Sequence, residues 1–186
     1  MVQIYDLFGN KTAWKLIRFF LSNPTGQFSQ GKVIQEVKLA KATAIAGFRV
    51  LERLGIVGFE EIGRTKLYRL NRELTFVKQI KRVVNLTASF LDEIIEPFRG
   101  ALVKVVAFGS FARGEDREDS DVDLLFVGDV DDSLLQKATI KIEKKCGKRM
   151  SVIVRTPEQF ILMKEKEPVL WNKILVGGEV LYGTGL

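Results

Sequence analysis

Apolar positions recur at helical spacing soon after Asn10: Ala13, Trp14, Leu16, Ile17, Phe20 and Leu21 share one face of a predicted helix. The run Ser22-Asn-Pro-Thr-Gly26 breaks it with turn residues. Ser29 is placed to cap a second helix whose buried face is Val33, Ile34 and Val37. A third helix is predicted over 40–54, with Ala44, Ile45, Phe48, Val50, Leu51 and Leu54 inward and Gly55 as its stop. Lys41, Thr43, Gly47 and Arg49 are left to face outward. The period then changes to that of strands over 56–62 and 66–70, joined through Gly63-Arg-Thr. A long helical stripe follows over 73–98, carrying Leu74, Val77, Ile80, Val84, Leu86, Phe90, Leu91, Ile94 and Ile95, and Pro97 and Gly100 end it.

Beyond it, Leu102–Phe108 is a β-branched run that reads as a buried strand, and 120–127 reads as a second. A solvated helix is expected over 131–145, a strand over 150–154 and a helix start at Thr156-Pro-Glu. A closing helix around 169–173 and a last strand over 179–183 complete the pattern. Cys146 and Trp171 are expected in packed or half-buried surroundings. The class is α+β, in three parts: 1–72, a linking helix over 73–100, and an α/β domain with a small mixed sheet over 101–186.

Charge sharpens this division. Residues 1–80 hold 13 Lys+Arg and 6 Asp+Glu, a net of +7, whereas residues 81–186 hold 16 and 17, a net of −1. A basic head on a near-neutral body points the head alone at a polyanion. The chain has no histidine and a single cysteine, Cys146, which excludes Cys/His zinc sites, His-based triads and an internal disulfide. A bound metal would have to be a hard cation on carboxylates. The start shows no basic and apolar leader, and no run of about 18 uncharged apolar residues occurs, so a cytoplasmic protein without membrane contact is expected.

Three helices and then a hairpin is the order of a winged helix. The stretches Leu51-Glu-Arg-Leu-Gly-Ile-Val-Gly-Phe and Gly63-Arg-Thr-Lys-Leu-Tyr-Arg-Leu resemble the recognition-helix exit and wing of prokaryotic winged-helix regulators, over roughly 8–72. A helix fits the major groove, so Lys41, Thr43 and Arg49 are candidates for contact with double-stranded DNA. Arg64 and Lys66 at the wing tip are candidates for its backbone. The stripe over 73–98 could serve as a homodimer seam, as in regulators that read two half-sites.

The chemistry lies in the second half. Gly109 lets backbone approach a phosphate, Ser110 can donate its hydroxyl, and Arg113 can add charge or pair with the loop carboxylates. Asp121 and Asp123 stand two apart on a strand, so both project from one face, as carboxylates that hold Mg²⁺ must. The sequence Gly-Ser-x-Ala-Arg-Gly, a short loop and Ser-Asp-x-Asp-Leu resembles the signature of the minimal nucleotidyltransferases of the polymerase-beta-like superfamily, over about 85–184. That resemblance implies transfer of a nucleoside monophosphate from a nucleoside triphosphate, ATP foremost, to an acceptor hydroxyl with Mg²⁺. It also implies phosphate contacts at Gly109 and Ser110 and metal ligands at Asp121 and Asp123. Some members are antitoxins that adenylylate a helical HEPN partner.

One element of the family pattern is missing. A third carboxylate is expected on the next strand, where this chain has Ser151, and no Asp or Glu occurs between Lys144 and Thr156. Loss of a positioned base typically costs about 10²–10⁴ in rate. Three readings stay open: a slow transferase with two carboxylates, a site completed by another carboxylate or a partner, or a domain that binds nucleotide without transfer. The leading expectation is a DNA-binding regulator with a Mg²⁺-dependent nucleotide-binding domain. The alternative is an active, antitoxin-like transferase that adenylylates a protein or small-molecule hydroxyl, targeted by its winged helix.

Overall fold

A computed structural model describes residues 9–184, which divide into two compact units between Lys78 and Gln79. In the first unit, α1 (Lys11–Ser22) starts where the Asn10 carboxamide accepts hydrogen bonds from the Thr12 and Ala13 amides, each at 3.0 Å. Its buried face is Ala13, Leu16, Ile17, Phe20 and Leu21, as the spacing predicts. The Ser29 hydroxyl caps α2 (Gln30–Val37) by accepting from the Lys32 amide. The third helix, α3 (Lys41–Arg53), stops at Gly55, whose φ of +68° lets its amide and that of Ile56 turn back onto the Glu52 and Leu51 carbonyls.

The hairpin β2 (Val57–Ile62) and β3 (Thr65–Leu70) closes through Gly63 and Arg64. A two-residue strand, β1 (Phe28–Ser29), pairs with the other edge of β3 and was too short to register in the sequence pattern. Tyr68 of β3 packs on Phe48 of α3 with ring centroids 4.5 Å apart. Burial, and then a hydrogen bond to Glu52 of α3, push its phenol up to about 12. Gly47 departs from expectation: it is buried, and a Cβ there would lie 2.6 Å from Leu16 Cδ1 and 2.9 Å from Thr12 Cγ2. The glycine faces α1, not solvent, and allows the two helices to approach closely.

The single helix predicted over 73–98 is two helices, α4 (Thr75–Leu86) and α5 (Ser89–Ile95), followed by a 3-10 turn (Glu96–Phe98). The break falls where the Thr87 hydroxyl bonds back to the Val83 carbonyl at 2.7 Å and Ala88 takes an extended conformation. Leu91, Ile94, Ile95 and Phe98 are core residues of the second unit, so this part of the stripe packs internally.

The second unit continues with β4 (Leu102–Phe108), α6 (Gly109–Arg113), β5 (Val122–Gly128), α7 (Asp132–Cys146), β6 (Met150–Arg155), α8 (Pro157–Lys166), α9 (Pro168–Gly177) and β7 (Glu179–Tyr182). The sheet order is β6-β5-β4-β7, with β5 and β6 parallel and the other pairs antiparallel, the small mixed sheet that was expected. Alternation along the strands builds two apolar layers. On one face Val105, Ala107, Val122, Leu124 and Phe126 meet α5 and α7. On the other, Val106, Phe108, Leu125 and Val127 meet Met163 of α8 and Ile174 of α9. Asp123 belongs by alternation to this second face. Among the described residues no helix is long and apolar enough to cross a membrane.

Candidate active site

Strand β4 delivers its last residue, Phe108, opposite Asp123 of β5. The next residue, Gly109, has φ +73°, and a Cβ built on it would lie 2.2 Å from Asp123 Oδ2. Both the backbone conformation and the approach of the carboxylate require glycine. The turn and the Asp pair, 12 to 14 residues apart in sequence, are therefore in contact. The turn is one compact helical coil, α6, closed where the Gly114 and Glu115 amides bond to the Phe111 and Ser110 carbonyls. Ser110 lies half-buried within it.

Asp121 is the residue before β5, and Asp123 the second residue of that strand. Asp121 Oδ1 is buried and accepts no hydrogen bond, although Arg149 Nε stands 2.9 Å away as an ion-pair partner. Arg149 is largely exposed, so this pairing is weak and easily exchanged. The Asp123 carboxyl is raised above the ordinary range, chiefly by burial, and further by the charge of Asp121. A hydrogen bond from Ser151 and the positive charges of Lys173 and Arg113 act the other way. A buried oxygen without a hydrogen bond beside a second carboxylate carrying excess negative field is a setting that a divalent cation would relieve.

Strand pairing sets Ser151 of β6 beside Asp123, the position at which the family resemblance implied a third carboxylate. Among the described residues no group of three or more acidic or cysteine side chains gathers to hold a metal. The donor set present, two carboxylates, nevertheless suits Mg²⁺, which is commonly held by one or two carboxylates with substrate phosphates and water supplying the rest.

Arg113 takes the second of the two roles foreseen for it, pairing with a loop carboxylate. Its Nε pairs with Glu115 Oε2 at 2.8 Å, and its charge reaches Asp123. Two features were not foreseen. One is Lys173 of α9, whose charge acts on Asp123. The other is a buried network around Asp116, which is 2% exposed in the middle of the charged loop. Lys81 Nζ stands 3.0 Å from Asp116 Oδ1, Asn85 Nδ2 donates to the same oxygen at 2.7 Å, and Lys148 Nζ donates to Oδ2 at 3.1 Å. Asn85 also donates to the Phe111 carbonyl, so α4 holds both the Gly109–Gly114 turn and the loop that leads to the Asp pair.

In the first unit, Lys41, Thr43 and Arg49 are exposed on α3, and Arg64 is exposed at the hairpin turn. Lys66 is exposed but occupied: its ammonium lies 3.8 Å from the Phe59 ring centroid and 3.6 Å from Glu61. The hairpin also exposes Glu60 and Glu61, which the overall charge count of this unit conceals.

A family model described as nucleotidyltransferase domain matches residues 88–174. A Methanocaldococcus jannaschii protein named as a candidate protein adenylyltransferase is 34% identical over 96 residues, 50% of this chain and 91% of the relative. Among solved structures, a chain of a toxin–antitoxin complex with AMP-PNP aligns at a TM-score of 0.40 and 16% identity, covering 52% of this chain and 73% of that one. A chain of the Shewanella oneidensis complex of tri-AMPylated HEPN toxin with MNT antitoxin aligns at 0.38 and 15% identity, covering 55% and 73%. The family match takes in the whole Gly109–Asp123 block and Ser151, and the chain belongs to the nucleotidyltransferase-domain family.

Proposed function

We propose that this chain transfers the adenylyl group of ATP, with Mg²⁺, to a hydroxyl of a protein acceptor. The observation that carries the reading is the contact of Gly109 with the Asp123 carboxylate, which joins a phosphate-type turn to a pair of carboxylates in one site. The relative named for protein adenylylation supports the choice of acceptor class. A helical HEPN protein is the partner that the family resemblance implies.

In this reading Asp121 and Asp123 hold the cation, Gly109 and Ser110 receive phosphate oxygens, and Arg113 adds charge at the rim. Bound there, Mg²⁺ would neutralise charge on the triphosphate and on the departing pyrophosphate. The acceptor oxygen bonds to the α-phosphorus as the bond from that phosphorus to the bridging oxygen breaks, and pyrophosphate leaves. The acceptor proton passes to water, because Ser151 stands where a third carboxylate would receive it. Its hydroxyl acts to lower the Asp123 carboxyl and provides no base. Transfer is accordingly slow, by a factor within about 10²–10⁴ of a site with a positioned base.

The test is transfer of label from α-labelled ATP to protein in an extract of the cell that makes this chain. Labelling that requires the added protein and vanishes in Asp121→Ala/Asp123→Ala supports the reading. Equal labelling with the double variant defeats it.

A second reading rests on a different observation. Lys11, Lys15 and Arg18 on α1 and Lys41, Arg49 and Arg53 on α3 are exposed, as are the small residues Ala42, Thr43 and Ala46. A basic helix face with small side chains suits a DNA groove. As a winged helix, the first unit would target the transferase to DNA, in a homodimer if two half-sites are read. Duplex binding at low salt, with log affinity falling as log salt rises, checks this, and no binding at low salt refutes it.

A further inference from the structure

Helix α9 reads Pro-Val-Leu-Trp-Asn-Lys-Ile-Leu-Val-Gly, and Lys173 is its single charged residue. The core-facing side is carried by Ile174, with Leu170 and Trp171 packed partly beneath it. Lys173 itself is exposed, between the exposed Val169 and Val176 that share its side of the helix. Among the described residues no carboxylate pairs with it. Lys173 is thus an exposed cation on an otherwise apolar helix, with its charge felt by the Asp123 carboxyl.

The helix is aimed at the site. One turn beyond Lys173, Gly177 lies under the stem of Arg113, where a Cβ would stand 2.9 Å from both Arg113 Cγ and Cδ. Lys173 and Gly177 are four residues apart and so lie along one edge of α9. That edge borders α6 and the face of the sheet to which Asp123 belongs. The effect of Lys173 on the Asp123 carboxyl agrees with this placement. Arg113 forms an ion pair with Glu115 at 2.8 Å, whereas Lys173 forms none among the described residues.

We infer that Lys173 binds the β- and γ-phosphates of the nucleoside triphosphate and so sets the preference of the site for a triphosphate over a monophosphate. The inference deepens the nucleotide-transfer reading and rests on it. A triphosphate entering beside two carboxylates brings several further negative charges. The cation on Asp121 and Asp123 meets part of that charge, and a point charge on a flexible stem suits the remainder. Arg113, held by Gly177 and Glu115, is the fixed contact, and Lys173 is the one that reaches.

The experiment is calorimetric titration of the full chain with ATP and with AMP, both with Mg²⁺, in the wild type, Lys173→Ala and Lys173→Arg. Expected is a wild-type preference for ATP that Lys173→Ala reduces about tenfold or more, the scale of a hydrogen bond to a charged group. AMP affinity and thermal midpoint stay unchanged, because the side chain is exposed, and Lys173→Arg recovers most of the preference. ATP affinity within twofold of wild type in Lys173→Ala, or equal weakening of ATP and AMP, overturns the inference and leaves the transfer reading standing. A wild type that binds neither nucleotide overturns the transfer reading, and the inference with it.

Discussion

Gly109 and Asp123 touch: the glycine stands at φ +73° with no room for a Cβ, because one would fall 2.2 Å from the Asp123 carboxylate. The Gly-Ser turn and the Asp-x-Asp pair are thus one object, built where β4 ends and β5 begins.

Replacing Gly109 by alanine tests that contact. The new methyl would meet a carboxylate oxygen and hold a backbone conformation that L-residues disfavour. We expect a loss of about 1–3 kcal/mol in stability and loss of ATP binding as Asp123 is displaced. Chemical denaturation and titration calorimetry measure the two. Wild-type affinity in Gly109→Ala would show that the contact has no part in binding.

The Asp123 carboxyl gives a pH signature. Its folded-state pKa is raised, by burial first and by Asp121 next. A raised carboxyl contributes stability below the unfolded carboxylate range and loses that contribution as pH rises through the folded pKa. Asp123→Asn does not ionise, so its thermal midpoint relative to wild type should climb from pH 4 to pH 7.5 in the absence of metal, while nucleotide binding is lost. A difference that shrinks over that range contradicts the assignment.

The Asp116 network should be costly to break. Lys81 and Asp116 are both almost fully buried, and removing one partner leaves charge in a low dielectric. Lys81→Met is expected to destabilise by about 3–5 kcal/mol, with Lys148 able to offset only part. Denaturant unfolding followed by a probe in the second unit measures it, and a loss below about 1 kcal/mol would place Lys81 among weak surface pairs.

Much of this site was legible in the sequence, and the exceptions share a cause. The strands around Asp123 follow from alternation, because a period of two fixes which residues share a face, whereas the place of Ser151 beside it was implied by the family resemblance. Asp116 gave no signal, since a carboxylate within Glu-Asp-Arg-Glu-Asp looks solvated and its partners Lys81, Asn85 and Lys148 lie about 31 to 35 residues away. Lys173 was hidden for the same reason: its relation to Asp123 exists only after α9 folds across the sheet. Gly47 and the break at Thr87 failed differently. An apolar stripe records which side is buried, but neither how closely two helices approach nor a one-residue interruption that leaves the stripe intact.

Ser151 offers a gain-of-function test. An aspartate at this position restores a carboxylate beside Asp123, so Ser151→Asp should raise label transfer, with a ceiling of about 10²–10⁴. The added like charge should also lower metal-free stability at neutral pH. Transfer unchanged or lower in a folded Ser151→Asp would show that a missing base is not what limits the rate.

The most direct test of the central claim is calorimetric titration of the full chain with ATP, with and without Mg²⁺, beside Asp121→Ala/Asp123→Ala. The account predicts Mg²⁺-dependent binding by the wild type that disappears in the double variant. Binding that ignores both Mg²⁺ and the two aspartates, or no binding in either protein, would contradict it.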